Sequence, residues 1–199
     1  MSKIQYQRQM PQLTAISTTN TSSRYNTPAS PSGRARNTPS LQASLPPTQV
    51  IPRLYVSDLS AAESPSVLAE YGITHIVSAM RGTVAVPASA SHICRLQVPL
   101  TDSPFDELAR YLPQTTAFIA EALQNPRACV LVHCVQGVSR SASIVCAYLV
   151  QAYGYSPAQA VQYVKSRRPY AEPNPGFITQ LGEYAESLRP STATVGRRR

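Results

Sequence analysis

Two apolar runs in the second half of the chain flank a short polar loop. The first is small and β-branched and follows a turn signal at Pro126, so it predicts a buried strand over 128–133. The second is longer and contains several alanines, which predicts a buried helix over about 139–152. The loop between them begins with Cys134 and ends with Arg140. A strand, a tight loop and a helix N-terminus favour a bound anion, because free N–H groups and the helix dipole attract negative charge.

Shorter patterns of the same two kinds occupy the rest of the middle of the chain. Strands are expected at 49–51, 54–56, 73–78 and 93–98. Helices are expected at 65–71, from 106 with a main run over 112–123, at 157–165 and at 176–188. Strands that alternate with helices predict an α/β fold with a mostly parallel central sheet flanked by helices on both faces. Ligands bind such sheets at the carboxyl ends of the strands, where both Cys134 and Asp102 follow a strand.

Composition divides the chain into one domain and two tails. Residues 1–45 are rich in Ser, Thr, Pro and Gln without hydrophobic periodicity, and 190–199 end in three arginines, so we expect both to be disordered. The domain is expected over 46–189. The formal net charge of +8 belongs entirely to the tails, because basic and acidic residues balance within the domain. A neutral domain argues against a nucleic-acid-binding face.

The basic tails allow several interpretations. Three Ser/Thr-Pro pairs at 27–28, 30–31 and 38–39 are typical of sites for proline-directed kinases, but a tail of this composition also produces such pairs by chance. An acid-free, Arg- and Ser-rich N-terminus also resembles a mitochondrial transit peptide, although its prolines and weak amphipathicity argue against one. The terminal arginines fit either solubility or a weak nuclear signal.

The four cysteines and the hydropathy pattern indicate a reduced setting. No cysteine spacing is typical of a disulfide framework or a zinc site, and Cys129 and Cys134 lie along one strand, too far apart to be bridged. No segment approaches the roughly 20 apolar residues of a membrane span. We therefore expect a cytoplasmic or nuclear protein without a membrane span or a bound metal.

The loop contains the groups that phosphate chemistry requires. Cys134 becomes a nucleophile when it ionises, which a helix N-terminus and a nearby Arg favour. Arg140 presents a planar fork that holds two phosphate oxygens. Gly137 allows the positive φ that turns backbone amides inward. The expected phosphate-binding residues are Val135, Gln136, Gly137, Val138, Ser139 and Arg140.

Other residues complete a candidate reaction. Asp102 is expected to protonate the leaving oxygen and then to activate water, although it could instead cap the next helix. Ser141 can donate its hydroxyl to the sulfur of Cys134. His133 ends the strand, so we expect it to orient its neighbour rather than to act as a base. Attack on a phosphomonoester would then give a phosphocysteine, which water hydrolyses in a second step.

The sequence around these residues resembles the motifs of a known protein family. The run 133–141 resembles the HCxxGxSRS signature of the dual-specificity protein phosphatases, within the Cys-based protein tyrosine phosphatases. Further similarity lies in the opening strands at 51–57, the "GITHIV" strand at 71–77 and the "RP…PNPGF…QL" run at 168–181. The resemblance implies that Cys134 is the nucleophile, Arg140 the phosphate clamp and Asp102 the general acid, with Ser141 as hydroxyl partner. It also implies that no metal or organic cofactor is needed.

Departures from the family pattern refine this interpretation. No second domain for kinase docking is recognisable, so the chain resembles the atypical, stand-alone members of the family. We expect a monomer. The elements that deepen the pocket of tyrosine-specific members have no counterpart, which implies activity on phosphoserine, phosphothreonine and phosphotyrosine. The variable loop positions Val135, Gln136 and Val138 are uncharged, which favours a phosphoprotein over a phosphoinositide. A phosphoinositide or nucleotide phosphatase, or a phosphopeptide-binding pseudophosphatase, remain the alternatives.

Overall fold

A single five-stranded sheet forms the centre of the fold. The computed structural model describes residues 45–189. The strands are β1 (Thr48–Ile51), β2 (Leu54–Ser57), β3 (His75–Ala79), β4 (Cys94–Val98) and β5 (Val130–His133). Their order across the sheet is β1-β2-β5-β3-β4, and every pairing is parallel except the antiparallel hairpin of β1 and β2. The expected mostly parallel sheet is therefore confirmed.

Six α-helices lie between or after the strands of the described residues, and four of them begin at a side-chain cap. They are α1 (Leu59–Glu63), α2 (Pro65–Glu70), α3 (Leu108–Gln124), α4 (Arg140–Tyr153), α5 (Pro157–Arg167) and α6 (Pro175–Ser187). Ser156 and Gln159 form a capping box at the start of α5, and Asn174 caps α6, each directly before a proline. Gly154 ends α4 in the left-handed conformation.

Both faces of the sheet are buried, as parallel sheets require. Along β5, Val130 and Val132 pack into one apolar cluster with α3, α4, α5 and α6, whereas Leu131 packs into a second cluster with α1 and α2. The period of two follows from strand geometry, which points successive side chains to opposite faces. With both faces covered, β5 is fixed at the centre of the sheet and positions the residues that follow it.

Several details differ from the sequence-based expectations. Helix α1 was not expected, because its five residues are too few for a periodic pattern. Helix α3 begins at Leu108 rather than 106 and continues through Pro113. Cys129 is only partly buried, while Cys146 is fully buried. All four cysteines are free.

The Ser/Thr-Pro pairs, the terminal arginines and the predicted disorder of both tails fall on residues outside 45–189, apart from Leu45. Within 45–189, no helix is long and apolar enough to cross a membrane.

Candidate active site

Cys134 lies at the bottom of the loop that joins β5 to α4. It is 1% exposed. Its Sγ accepts a hydrogen bond from the backbone N–H of Gly137 at 3.2 Å and lies 3.3 Å from the hydroxyl oxygen of Ser141. Both partners can donate to a sulfur that carries negative charge. The surroundings of Sγ therefore suit a thiolate.

The loop carbonyls bind donors from other segments. The three bonds run from Leu59 N to Val135 O (3.2 Å), from Arg168 Nε to Gly137 O (2.8 Å) and from Glu172 N to Val138 O (2.9 Å). A trans peptide points its N–H opposite to its C=O. The N–H groups of Gln136, Val138 and Ser139 are therefore left facing the inside of the loop, where they form a concave set of donors for an anion.

Gly137 is required by both its conformation and its surroundings. Its φ is +68°, in the left-handed region that L-residues avoid. A Cβ at this position would lie 2.5 Å from Arg168 Nη2 and 2.6 Å from the backbone carbonyl of Ser57. The loop therefore contacts β2 and Arg168 so closely that only glycine fits.

Arg140 begins α4 and extends towards the segment that follows β4. It is 9% exposed, and its Nη1 donates to the carbonyl of Leu100 at 3.3 Å. Its Nε lies 3.9 Å from Oδ2 of Asp102 and has no hydrogen-bond partner among the described residues. A buried guanidinium N–H without an acceptor is costly. A phosphate oxygen bound in the loop would be a suitable acceptor for it.

Asp102 lies in the loop between β4 and α3, which we call the acid loop (residues 99–107). Its Oδ1 accepts a hydrogen bond from the side-chain amide of Asn174 at 2.9 Å. The backbone N–H of Asn174 donates to the hydroxyl of Ser139 at 3.0 Å. One residue therefore connects the acid loop to the loop between β5 and α4, which we call the catalytic loop (residues 134–140). The N-cap of α3 is Glu107, which excludes the alternative that Asp102 caps this helix.

A second carboxylate of the acid loop, Asp106, has a structural role. Its Oδ2 accepts hydrogen bonds from both the backbone N–H and the hydroxyl of Thr101. Partial burial raises the pKa of Asp106, but the hydrogen bonds from Thr101 and Glu107 together leave this pKa below its ordinary value. Asp106 is therefore an ionised support of the loop, and Asp102 is the carboxylate that approaches Arg140.

His133 is buried beside Cys134 and uncharged. Burial lowers the pKa of its imidazole to about 4, so it is neutral near pH 7. Nδ1 lies 3.4 Å from the carbonyl oxygen of Cys134 and Nε2 lies 2.7 Å from the hydroxyl oxygen of Ser78. Because a carbonyl only accepts, Nδ1 carries the proton and Nε2 accepts from Ser78. These contacts hold the backbone at Cys134.

Comparison with known proteins assigns this fold and this loop to one family. Residues 54–187 match the family model "Dual specificity phosphatase, catalytic domain". The chain belongs to the dual specificity phosphatases. Human dual specificity phosphatase 28 is 39% identical over 151 residues, which cover 76% of this chain and 84% of the human protein. Dual specificity protein phosphatase 1 of Arabidopsis thaliana is 38% identical over 145 residues, or 73% of this chain and 72% of that protein.

Solved structures agree with this assignment. The crystal structure of human dual specificity phosphatase 28 aligns with a TM-score of 0.67 and 38% identity, covering 73% of this chain and 97% of the human chain. As a dual specificity phosphatase, the protein is a phosphatase of the protein tyrosine phosphatase type, a hydrolase. The family predicted from the loop motif is therefore confirmed.

The structure of this dual specificity phosphatase brings the predicted site residues together. Sγ of Cys134 contacts both Ser141 and Gly137, and Asp102 approaches Arg140 across β3. Their chemical roles stay predictions, as do the monomeric state and the cytoplasmic or nuclear setting. Among residues 45–189, no group of three or more His, Cys, Asp or Glu side chains could hold a metal ion.

Two residues at the site were not assigned a role from the sequence. Arg168 is fully buried and binds the carbonyl of Gly137 and the hydroxyl of Thr48. Asn174 holds Asp102. Both lie in the "RP…PNPGF" run that carries the family resemblance, but the run alone does not indicate which loop each side chain contacts.

Proposed function

We propose that this phosphatase hydrolyses phosphotyrosine and phosphoserine or phosphothreonine in proteins through a phosphocysteine on Cys134. The observation that carries the proposal is the environment of Sγ, which faces the N–H of Gly137 at 3.2 Å and the Ser141 hydroxyl at 3.3 Å. A buried cysteine with a packing role alone does not need two donors at its sulfur. Cys146, by contrast, is fully buried, and burial raises the pKa of its thiol to about 12.

In the first step, the thiolate of Cys134 attacks phosphorus and the bond from phosphorus to the substrate oxygen breaks. The inward N–H groups of the loop and the fork of Arg140 hold the equatorial oxygens, where negative charge must be stabilised. Asp102, in its protonated form, donates its proton to the leaving oxygen. The products of this step are the dephosphorylated residue and a phosphocysteine.

In the second step, a water molecule attacks phosphorus and the S–P bond breaks. The carboxylate of Asp102 accepts a proton from this water, and the Ser141 hydroxyl donates to the sulfur as it regains negative charge. Inorganic phosphate leaves and the enzyme returns to its initial state. The connection from Asn174 to both Asp102 and Ser139 supports this scheme, because it fixes the acid relative to the loop.

The test is hydrolysis of para-nitrophenyl phosphate by the wild type and by Cys134→Ser. The proposal predicts that the variant loses essentially all activity, and equal rates would refute it. Asp102→Asn should lose the alkaline limb of a bell-shaped pH profile, since that limb reports the acid that must be protonated. An unchanged profile would assign the acid role to another group.

A phosphoinositide or nucleotide phosphatase on the same fold would share this chemistry. The loop side chains Val135, Gln136 and Val138 are uncharged, which favours a phosphoprotein over a polyanionic headgroup. Rates on phosphopeptides, phosphoinositides and nucleoside monophosphates, measured side by side, separate these substrates. A pseudophosphatase that only binds phosphopeptides would bind them without releasing phosphate.

A further inference from the structure

Exposed apolar side chains concentrate around the candidate active site. Among residues 45–189, six large apolar side chains are exposed. Three of them lie in loops that form the site, namely Phe105 (93% exposed), Val135 (45%) and Tyr170 (42%), and Ile178 (41%) lies on α6, against which the acid loop packs. The other two, Leu45 and Leu188, lie at the ends of the described residues. Large apolar side chains clustered on a surface mark an interaction site, whereas isolated ones need no explanation.

Phe105 is held in this exposed position by the acid loop. Its backbone N–H donates to the Ser103 hydroxyl at 3.2 Å. The preceding Pro104 packs so tightly on Gly176 that a Cβ there would overlap its carbonyl. On the other side, the carbonyl of Asp106 accepts from the Gln180 side chain at 2.8 Å. The loop is therefore fixed on α6, and its sequence places a Phe in water three residues from Asp102.

A shallow, open cavity with an acidic lining lies beside Phe105. It has a volume of about 460 Å³ and is lined by Phe105, Asp106, Glu107, Ala109, Arg110, Gln180 and Glu183. Three carboxylates against one guanidinium make its lining net negative. Arg110 lies 3.9 Å from Glu107, with both side chains more than 70% exposed, and it is already counted in this balance, so the lining keeps a net negative charge. The cavity therefore suits a basic side chain.

We propose that Phe105 and this cavity bind the substrate segment next to the phosphorylated residue, and that the segment carries an apolar and a basic side chain. The inference rests on the proposed function. Three residues of chain span at most about 10 Å, so Phe105 lies within reach of substrate positions up to about three residues from the phosphorylated one. The apolar side chain packs on Phe105, and the basic one pairs with Glu107 and Glu183.

Two phosphotyrosine peptides of equal length test the inference. One carries leucine two positions and lysine three positions from the phosphotyrosine on both sides, and the other carries serine and glutamate there. We expect the wild type to prefer the first by about tenfold in kcat/KM, and Phe105→Ser to reduce this preference at least threefold. Each value is divided by the same variant's rate on para-nitrophenyl phosphate. Leu188→Ser, which removes an exposed apolar side chain elsewhere, should keep the full preference.

The possible outcomes separate the two proposals. Hydrolysis of para-nitrophenyl phosphate with equal use of both peptides refutes the inference alone. Failure to hydrolyse any of the three compounds refutes the proposed function, and the inference with it. Light scattering is recorded on the same samples, and a dimer that dissociates in Phe105→Ser without any peptide preference would assign this surface to a second copy of the chain instead.

Discussion

Substituting alanine for Gly137 tests how the catalytic loop is built. The chain offers a matched control in Gly154, because the two glycines have nearly the same φ, +68° and +70°. A Cβ on Gly154 would meet nothing within 4 Å. A Cβ on Gly137 would lie 2.5 Å from Arg168 Nη2 and 2.6 Å from the Ser57 carbonyl. The control therefore carries the conformational cost of a positive φ without the steric one.

The expected magnitudes follow from this difference. Alanine in the left-handed region costs about 1–2 kcal/mol, partly offset by the lower entropy of its unfolded chain, so Gly154→Ala should destabilise by about 1 kcal/mol. Gly137→Ala adds the cost of overpacking, about 1–3 kcal/mol, and should destabilise by about 2–4 kcal/mol. It also displaces an N–H donor from Sγ, and loss of one such donor lowers kcat by about 100-fold or more.

Urea denaturation of both variants gives the free energies of unfolding, and para-nitrophenyl phosphate hydrolysis gives the rates. Gly137→Ala should be the less stable variant and should lose at least 100-fold in kcat, while Gly154→Ala keeps the wild-type rate. Equal free energies for the two variants, together with full activity of Gly137→Ala, would refute the claim that the loop closes against Ser57 and Arg168.

Three further predictions concern neighbouring residues. Asn174→Ala removes both a helix cap and the donor to Asp102, so it should cost about 1 kcal/mol in stability and about tenfold in kcat. Ser156→Ala removes a cap far from the site, so it should lose about as much stability as Asn174→Ala but keep the wild-type kcat. An equal loss of kcat in both variants would contradict the positioning of Asp102 by Asn174. His133 is neutral in the folded state down to about pH 4, whereas its unfolded form is protonated below about pH 6.5. The contribution of His133 to stability should therefore be full above pH 6.5 and fall by about 3 kcal/mol between pH 6.5 and 4, as measured by urea denaturation. His133→Gln should lack this part of the decline. Identical pH curves for the wild type and His133→Gln would contradict a neutral, buried His133. Ser141→Ala should slow breakdown of the phosphocysteine, so that stopped-flow shows a burst of para-nitrophenol before a kcat reduced by about 100-fold; an unchanged kcat would exclude the hydroxyl partner.

The core of the site was predictable because its information is local in the chain. The nine residues from His133 to Ser141 contain the proposed nucleophile, the proposed phosphate clamp and the glycine that the turn requires, and they lie between two strong hydrophobic patterns. Asp102 was predictable through the sheet, since residues that follow parallel strands meet at one edge. Its approach to Arg140 agrees with that reasoning.

The supporting contacts were not predictable, because they join segments far apart in the sequence. Arg168 binds Gly137 across 31 positions, and Asn174 binds Asp102 across 72. Hydrophobic periodicity carries no information about such polar contacts. The sequence separation between each of these residues and its partner does not indicate the contact either. Helix α1 was missed for a different reason, because five residues span little more than one helical turn and cannot show a repeated pattern.

The most direct test of the proposed mechanism is to look for phosphate on Cys134. The protein is quenched in acid during turnover of para-nitrophenyl phosphate, and the peptide that contains Cys134 is analysed by mass spectrometry. The mechanism predicts one added phosphoryl group on this cysteine, in a larger amount in Ser141→Ala and absent in Cys134→Ser. Continued hydrolysis by the wild type and Ser141→Ala with Cys134 unmodified in both would contradict it.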